Sequence, residues 1–172
     1  GPPMPIALYR GISDHDAQAI VAYLRSVPAV KHIAPKSNYL APLPLSYGPP
    51  LKRVANVPRS NKVAYGRYLA GPLGHCMECH SAPAPDGGAD LVNGLGAGGR
   101  VFRGPWGESK AGNLTPSGLR QWSDEDILRA ITRGERPDGK RMKPPMGFAY
   151  YANMSAADLD ALLAYLRSLP PK

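Results

Sequence analysis

The chain has only two cysteines, and they stand three residues apart in Cys76-Met77-Glu78-Cys79-His80. Two thiols this close cannot staple distant segments, so no disulfide framework is available to define the fold. On one turn of helix they can instead reach two vinyl groups on one porphyrin edge, while the adjacent imidazole reaches the metal. The pattern is that of covalent c-type haem attachment through Cys76 and Cys79, with His80 as proximal ligand. A ligating imidazole needs an acceptor for its other ring N–H to fix its tautomer, and a backbone carbonyl is expected here.

Three other readings compete. A thioredoxin-like pair belongs at the start of a helix in a βαβ unit, and no alternating strand pattern precedes these cysteines. A structural zinc site needs four ligands, and only His15, His32 and His75 remain as further donors. A disulfide between Cys76 and Cys79 gives His80 no role. The three remaining histidines read as surface or packing residues: His15 in a first helical turn, His32 in a linker, His75 beside the attachment loop.

An electron carrier completes its iron with a methionine thioether, and five methionines are present. Met77 is inside the attachment loop and Met154 precedes a helix start, which leaves Met142 and Met146. An internal repeat favours Met146. Residues 2–30 align without a gap on residues 144–172, with 14 of 29 positions identical. Pro2-Pro3-Met4 matches Pro144-Pro145-Met146, and Ala22-Tyr23-Leu24-Arg25-Ser26 matches Ala164-Tyr165-Leu166-Arg167-Ser168. The rigid diproline holds the following side chain on a fixed path. Met142 has no counterpart in the first copy and stands as the alternative.

Ser13, Ser123 and Ser155 each precede an acid by three residues (Asp16, Asp126, Asp158), the signature of a capped helix start. Leu159, Leu162, Leu163 and Leu166 then give the last helix one apolar face. A further helix is expected over residues 61–70, where Gly66 would permit close approach of the final helix near Tyr165. Between His80 and Trp122 the chain is rich in Gly and Pro, with Asp86-Gly87-Gly88 and residues 94–99 as breakers. It reads as irregular loop around the haem edge, with Trp106 and Trp122 as candidates to pack on the ring or bond a propionate. Residues 31–57, with Pro42-Leu43-Pro44 and Pro49-Pro50, read as an extended Pro-rich linker.

The formal net charge of +8 points to an acidic partner surface, offset in part by two haem propionates. Lys and Arg are scattered with no long run, so nucleic acid is not an expected partner. No apolar stretch is long enough to span a bilayer. The opening Gly1-Pro2-Pro3-Met4-Pro5 has neither the basic start nor the apolar run of a secretory leader, so a mature, processed or partial chain is expected.

The combination resembles the class I cytochrome c domains found in multihaem cytochrome subunits of periplasmic dehydrogenases. The resemblance rests on residues 76–80, on Asn113-Leu114-Thr115-Pro116, on Trp122-Ser123-Asp124 with Ile127 and Ala130-Ile131, on Gly134 with Arg136-Pro137-Asp138-Gly139, on Pro144-Pro145-Met146 and on the closing residues 158–170. It covers nearly all of residues 58–172. It implies an all-α class I cytochrome c fold of short helices around a covalent haem, preceded by an N-terminal helical segment and the Pro-rich linker. It also implies iron ligands His80 and Met146, a haem-side Asn113, and a periplasmic one-electron carrier. The carrier would serve a dehydrogenase or quinol donor and a downstream acceptor, without catalysis of its own.

The chain departs from the family in having Ser81-Ala82-Pro83 where Thr-Pro commonly follows the haem histidine, which puts the usual acceptor near His80 in doubt. It also has Gly147 where Pro is common. The largest departure is at the front, where residues 1–30 read as the C-terminal part of an upstream cytochrome domain whose second haem would take Met4 as ligand. A haem-binding domain over residues 58–172 would owe much of its core to the cofactor, so the apo chain is expected to be largely unfolded.

Overall fold

The computed structural model describes residues 4–38, 48–85 and 87–172. Pro2, Pro3, Pro42-Leu43-Pro44 and Asp86 lie outside them. The three capping serines open three helices as expected. Ser13 starts α2 (Asp14–Ser26; α1, Ile6–Tyr9, precedes it), and its hydroxyl accepts from the Asp16 amide at 3.1 Å. Ser155 starts α7 (Ala156–Ser168) in the same way. Ser123 starts α5 (Asp124–Arg133) with a full capping box, since the Asp126 carboxylate also accepts from the Ser123 amide at 3.0 Å. Gly134, at φ 66°, then turns the chain out of α5.

The helix expected over residues 61–70 is shorter. It comprises α3 (Lys62–Tyr68), capped by Asn61, and passes into one wide turn of π-helix, Leu69–Leu73. Pro72 lies in that turn and lacks the N–H that an α-helical ladder would need. α3 crosses α7 at Gly66. A β-carbon there would stand 2.6 Å from the Ala161 carbonyl carbon and 2.7 Å from the Tyr165 β-carbon, so only glycine permits the approach. Around the crossing lies the core, with Ala70, Met77, Leu119, Ile127, Leu162 and Leu166 buried in one cluster. Lys62 with Asp160 bridges the same two helices, and Arg59, just before α3, pairs with Asp158 of α7, but ion pairs at the surface contribute at most about 1 kcal/mol each.

The all-α expectation needs one correction. Residues 101–110 form a two-stranded antiparallel hairpin, β1 (Val101–Gly104) and β2 (Gly107–Lys110). Val101 and Phe102 favour extended backbone. Pro105 presets the turn and Gly107, at φ 86°, takes the left-handed position that closes it. Residues 31–38 and 48–57 form no helix or strand. α6 (Phe148–Tyr151) completes the helices. α1 and α6, like α2 and α7, are equal in length and occupy matching positions in the internal repeat.

Candidate haem site

The attachment motif is itself a single helical turn, α4 (Cys76–His80), entered through His75. His75 adopts φ 55°, the left-handed region that few residues other than glycine use, and so redirects the chain from the π turn into α4. Both thiols are free. Burial pushes the Cys76 thiol up to about 11 and raises that of Cys79 as well. A redox-active or metal-binding pair needs the opposite, an easily formed thiolate, so the thioredoxin-like reading has no support here. Among the described residues no group of three or more His, Cys, Asp and Glu side chains stands where it could hold a metal ion.

His80 Nδ1 lies 2.9 Å from the carbonyl oxygen of Gly112. A carbonyl only accepts, so Nδ1 carries the proton and donates, and Nε2 is left with its lone pair for a metal. Burial also holds the imidazole below its usual value, which keeps the ring neutral. The glycine-rich stretch places this acceptor. Gly98, at φ 71°, donates its amide to the His80 carbonyl at 2.7 Å. A β-carbon on Gly98 would meet the Gly112 carbonyl carbon at 2.6 Å. The segment read as loose loop is therefore a tight backbone crossing. Ser81 raised a doubt as a departure from the family pattern. It is buried and accepts from the Gly96 amide at 3.2 Å, within the same crossing.

Trp106, at the hairpin turn, packs its ring over Gly104, where a β-carbon would run into the indole. Its indole Nε1 is buried without a partner among the described residues. A buried donor left unpaired costs about 1–3 kcal/mol, so the position fits an acceptor such as a porphyrin propionate. Asn113 is committed within the protein instead. Its Oδ1 accepts from the Thr115 amide and hydroxyl, both at 2.7 Å, and its Nδ2 donates to the Lys172 carbonyl. Trp122 packs against the core and under the Arg136 guanidinium, and its carbonyl accepts from Arg167.

Of the two candidate methionines, Met142 has its amide bonded to the Gly134 carbonyl at the end of α5. Met146 stands two residues after Pro144, whose carbonyl accepts from the Ser109 hydroxyl at 2.7 Å. Lys143 donates to the Glu108 carbonyl, so β2 ties down the approach to Met146 from two positions. Met77 and Met154 pack in and against the core. Met4 is exposed. His15 is an exposed neighbour of Asp16, His32 is exposed in the linker, and the His75 ring meets the Tyr9 ring at a tilt. Sequence reasoning missed three residues: Gly112, whose role is carried by its backbone, Arg100, which donates to the Glu78 carbonyl, and Tyr151, which donates to the Gly74 carbonyl. Tyr151 alone had a signal, its identity with Tyr9 in the repeat.

Two unpaired thiols, a lone pair on the adjacent imidazole and an orphaned indole N–H thus fit a covalently attached porphyrin. Residues 63–170 match the cytochrome c family model, and the chain belongs to that family of one-electron carriers. It is 30% identical to the fructose dehydrogenase cytochrome subunit of Gluconobacter japonicus, over 99% of this chain and 37% of that protein. To the gluconate 2-dehydrogenase cytochrome c subunit of Pantoea cypripedii it is 28% identical, over 99% and 43%. To the cytochrome c subunit of the quinone alcohol dehydrogenase of Gluconacetobacter polyoxogenes the figures are 31%, over 60% and 21%. The chain thus spans less than half the length of each of these relatives.

Proposed function

We propose that this chain is the electron-carrying part of a periplasmic dehydrogenase's cytochrome subunit. Haem c is held by thioether bonds to Cys76 and Cys79, and the iron by His80 and Met146. The observation that carries the reading is the His80 Nδ1–H bond to Gly112, which frees Nε2 beside two unpaired thiols. A haem held there would supply one-electron ferric–ferrous chemistry. The protein's part is to orient the imidazole, present a soft thioether that favours the ferrous state, and offer Trp106 to a propionate. The names of the relatives support a dehydrogenase subunit as partner; in this reading that subunit, or a quinol, is the donor and a further redox protein the acceptor. The net charge of +8 favours an acidic docking surface on one of them. No helix among the described residues is long and apolar enough to cross a membrane.

Met146→Leu should abolish the methionine-to-iron charge-transfer band of the oxidised protein, while Met142→Leu should keep it. The converse result would transfer the ligand role to Met142.

The proposal extends to the front of the chain. Residues 1–30 close an upstream cytochrome domain with Met4 as ligand to its own haem, residues 31–57 link, and residues 58–172 form the second domain. The repeat supports this through exposure. In α7, Leu162, Tyr165 and Leu166 are 3%, 5% and 2% exposed, whereas their counterparts in α2, Ile20, Tyr23 and Leu24, are 41%, 69% and 62% exposed. The same face that α3 covers in one copy stands uncovered in the other, as expected of a helix awaiting its own domain.

A further inference from the structure

We infer that Tyr9 and His75 form the joint between two haem-attachment loops and set the gap an electron crosses between the two haems. This rests on the upstream cytochrome domain proposed above. The rings of Tyr9 and His75 lie 4.7 Å apart between centroids, tilted by 58°. His75 immediately precedes Cys76, so this contact falls at the haem-bearing loop itself. Two further contacts, both C-terminal to Tyr9, hold the joint. Beyond Tyr9, Gly11 lies so close to Pro72 of the π turn that a β-carbon would stand 2.7 Å from the proline ring. Farther on, Tyr68 donates its hydroxyl to Asp16 at 2.6 Å and accepts from the Ser13 amide at 3.1 Å.

The repeat says what the other side of Tyr9 meets. Its counterpart is Tyr151, at the end of the equally short α6. Tyr151 donates its hydroxyl to the Gly74 carbonyl at 3.1 Å, two residues before Cys76, and burial pushes its phenol up to about 12. Tyr9 holds that position in the upstream domain, beside its attachment loop, while its ring rests on the attachment loop of this domain. One tyrosine thus touches both loops. His75 Nε2 is buried with no partner among the described residues.

In the step served by this joint, one electron leaves the ferrous iron of one domain and reduces the ferric iron of the other. No bond forms or breaks and no proton moves; Tyr9 and His75 act as positioning residues and as the packed medium between the haems.

The test uses the full-length native protein, with equilibration between the haems followed after flash photoreduction. Haem content and the methionine-to-iron band of each variant serve as structural controls. Tyr9→Phe, which keeps the ring, should hold the wild-type rate. Tyr9→Leu should slow it about tenfold through loss of positional precision, with both controls unchanged. His75→Leu opens the same gap from the other side and should slow equilibration likewise, which covers the case that Tyr9→Leu does not fold. Two haems per chain with the rate unmoved by either leucine variant would overturn the joint alone. Slowing by Tyr9→Phe as large as that by Tyr9→Leu would do the same. One haem per full-length chain would overturn the upstream domain and the joint with it.

Discussion

Gly66 and Ala161 meet backbone to backbone, and the meeting leaves no space for even a methyl group on Gly66. The obstacle is the α7 main chain, which cannot rotate aside as a side-chain tip would. Gly66→Ala should therefore separate α3 from α7 and cost about 3 kcal/mol, the upper range for an overpacked core, although alanine is the better helix former. Urea unfolding of the holoprotein measures it. A variant as stable as the parent would mean that the two helices do not cross at this point.

Trp106 presents a different balance, since its indole N–H is buried and unpaired among the described residues. Trp106→Phe removes the donor and keeps much of the ring. In the holoprotein it should cost about 1.5–3 kcal/mol, the worth of a hydrogen bond to a charged propionate. A holoprotein as stable as the parent would leave Trp106 as a packing residue only.

The parts of the site that were legible from sequence are those carried by side chains at fixed spacing. The attachment motif, the three serine caps and the Gly66 crossing all depend on local pattern, and each stands where the pattern put it. The hairpin was not legible, because its strands are four residues long and lie within a run of glycines and prolines that reads as loop. Nor was Gly112 as the partner of His80, since a backbone carbonyl has no residue type to reveal it. Asn113 looked like a haem-side residue by resemblance, yet its polar atoms are taken by Thr115 and Lys172, which only long-range folding decides.

The crossing at Gly98 should tune the iron as well as the fold. Gly98→Ala places a side chain at φ 71° and against the Gly112 carbonyl carbon, so the loop bearing the His80 acceptor must move. The left-handed conformation alone costs about 1–2 kcal/mol. A longer Nδ1–H bond makes the imidazole a weaker donor, stabilises ferric iron less, and should raise the reduction potential. Potentiometric titration reads this directly. A lowered potential would show that the Gly112 bond does not govern His80 in this way.

Docking of the N-terminal segment should depend on pH through Asp16 and Tyr68. The Tyr68 hydroxyl, donating to Asp16, holds that carboxyl below its usual 3.8; burial, and then the same bond, raise the Tyr68 phenol above 10.0. Asp16 has a depressed folded value, so its contribution is present above 3.8 and disappears as pH falls through the folded value. Tyr68 has a raised one, so its contribution is full below 10.0 and is lost as pH rises through the folded value. The joint at Tyr9 should thus be firm across neutral pH and loosen at both extremes, with the carbon-13 shift of the Tyr68 ring as the reporter. Asp16→Asn should weaken docking by about 1 kcal/mol, reduced from the value of a buried charged pair because Asp16 is partly exposed, and should erase the acid limb. An acid limb that persists in Asp16→Asn would assign the transition to another group and leave the Tyr68 bond without energetic weight.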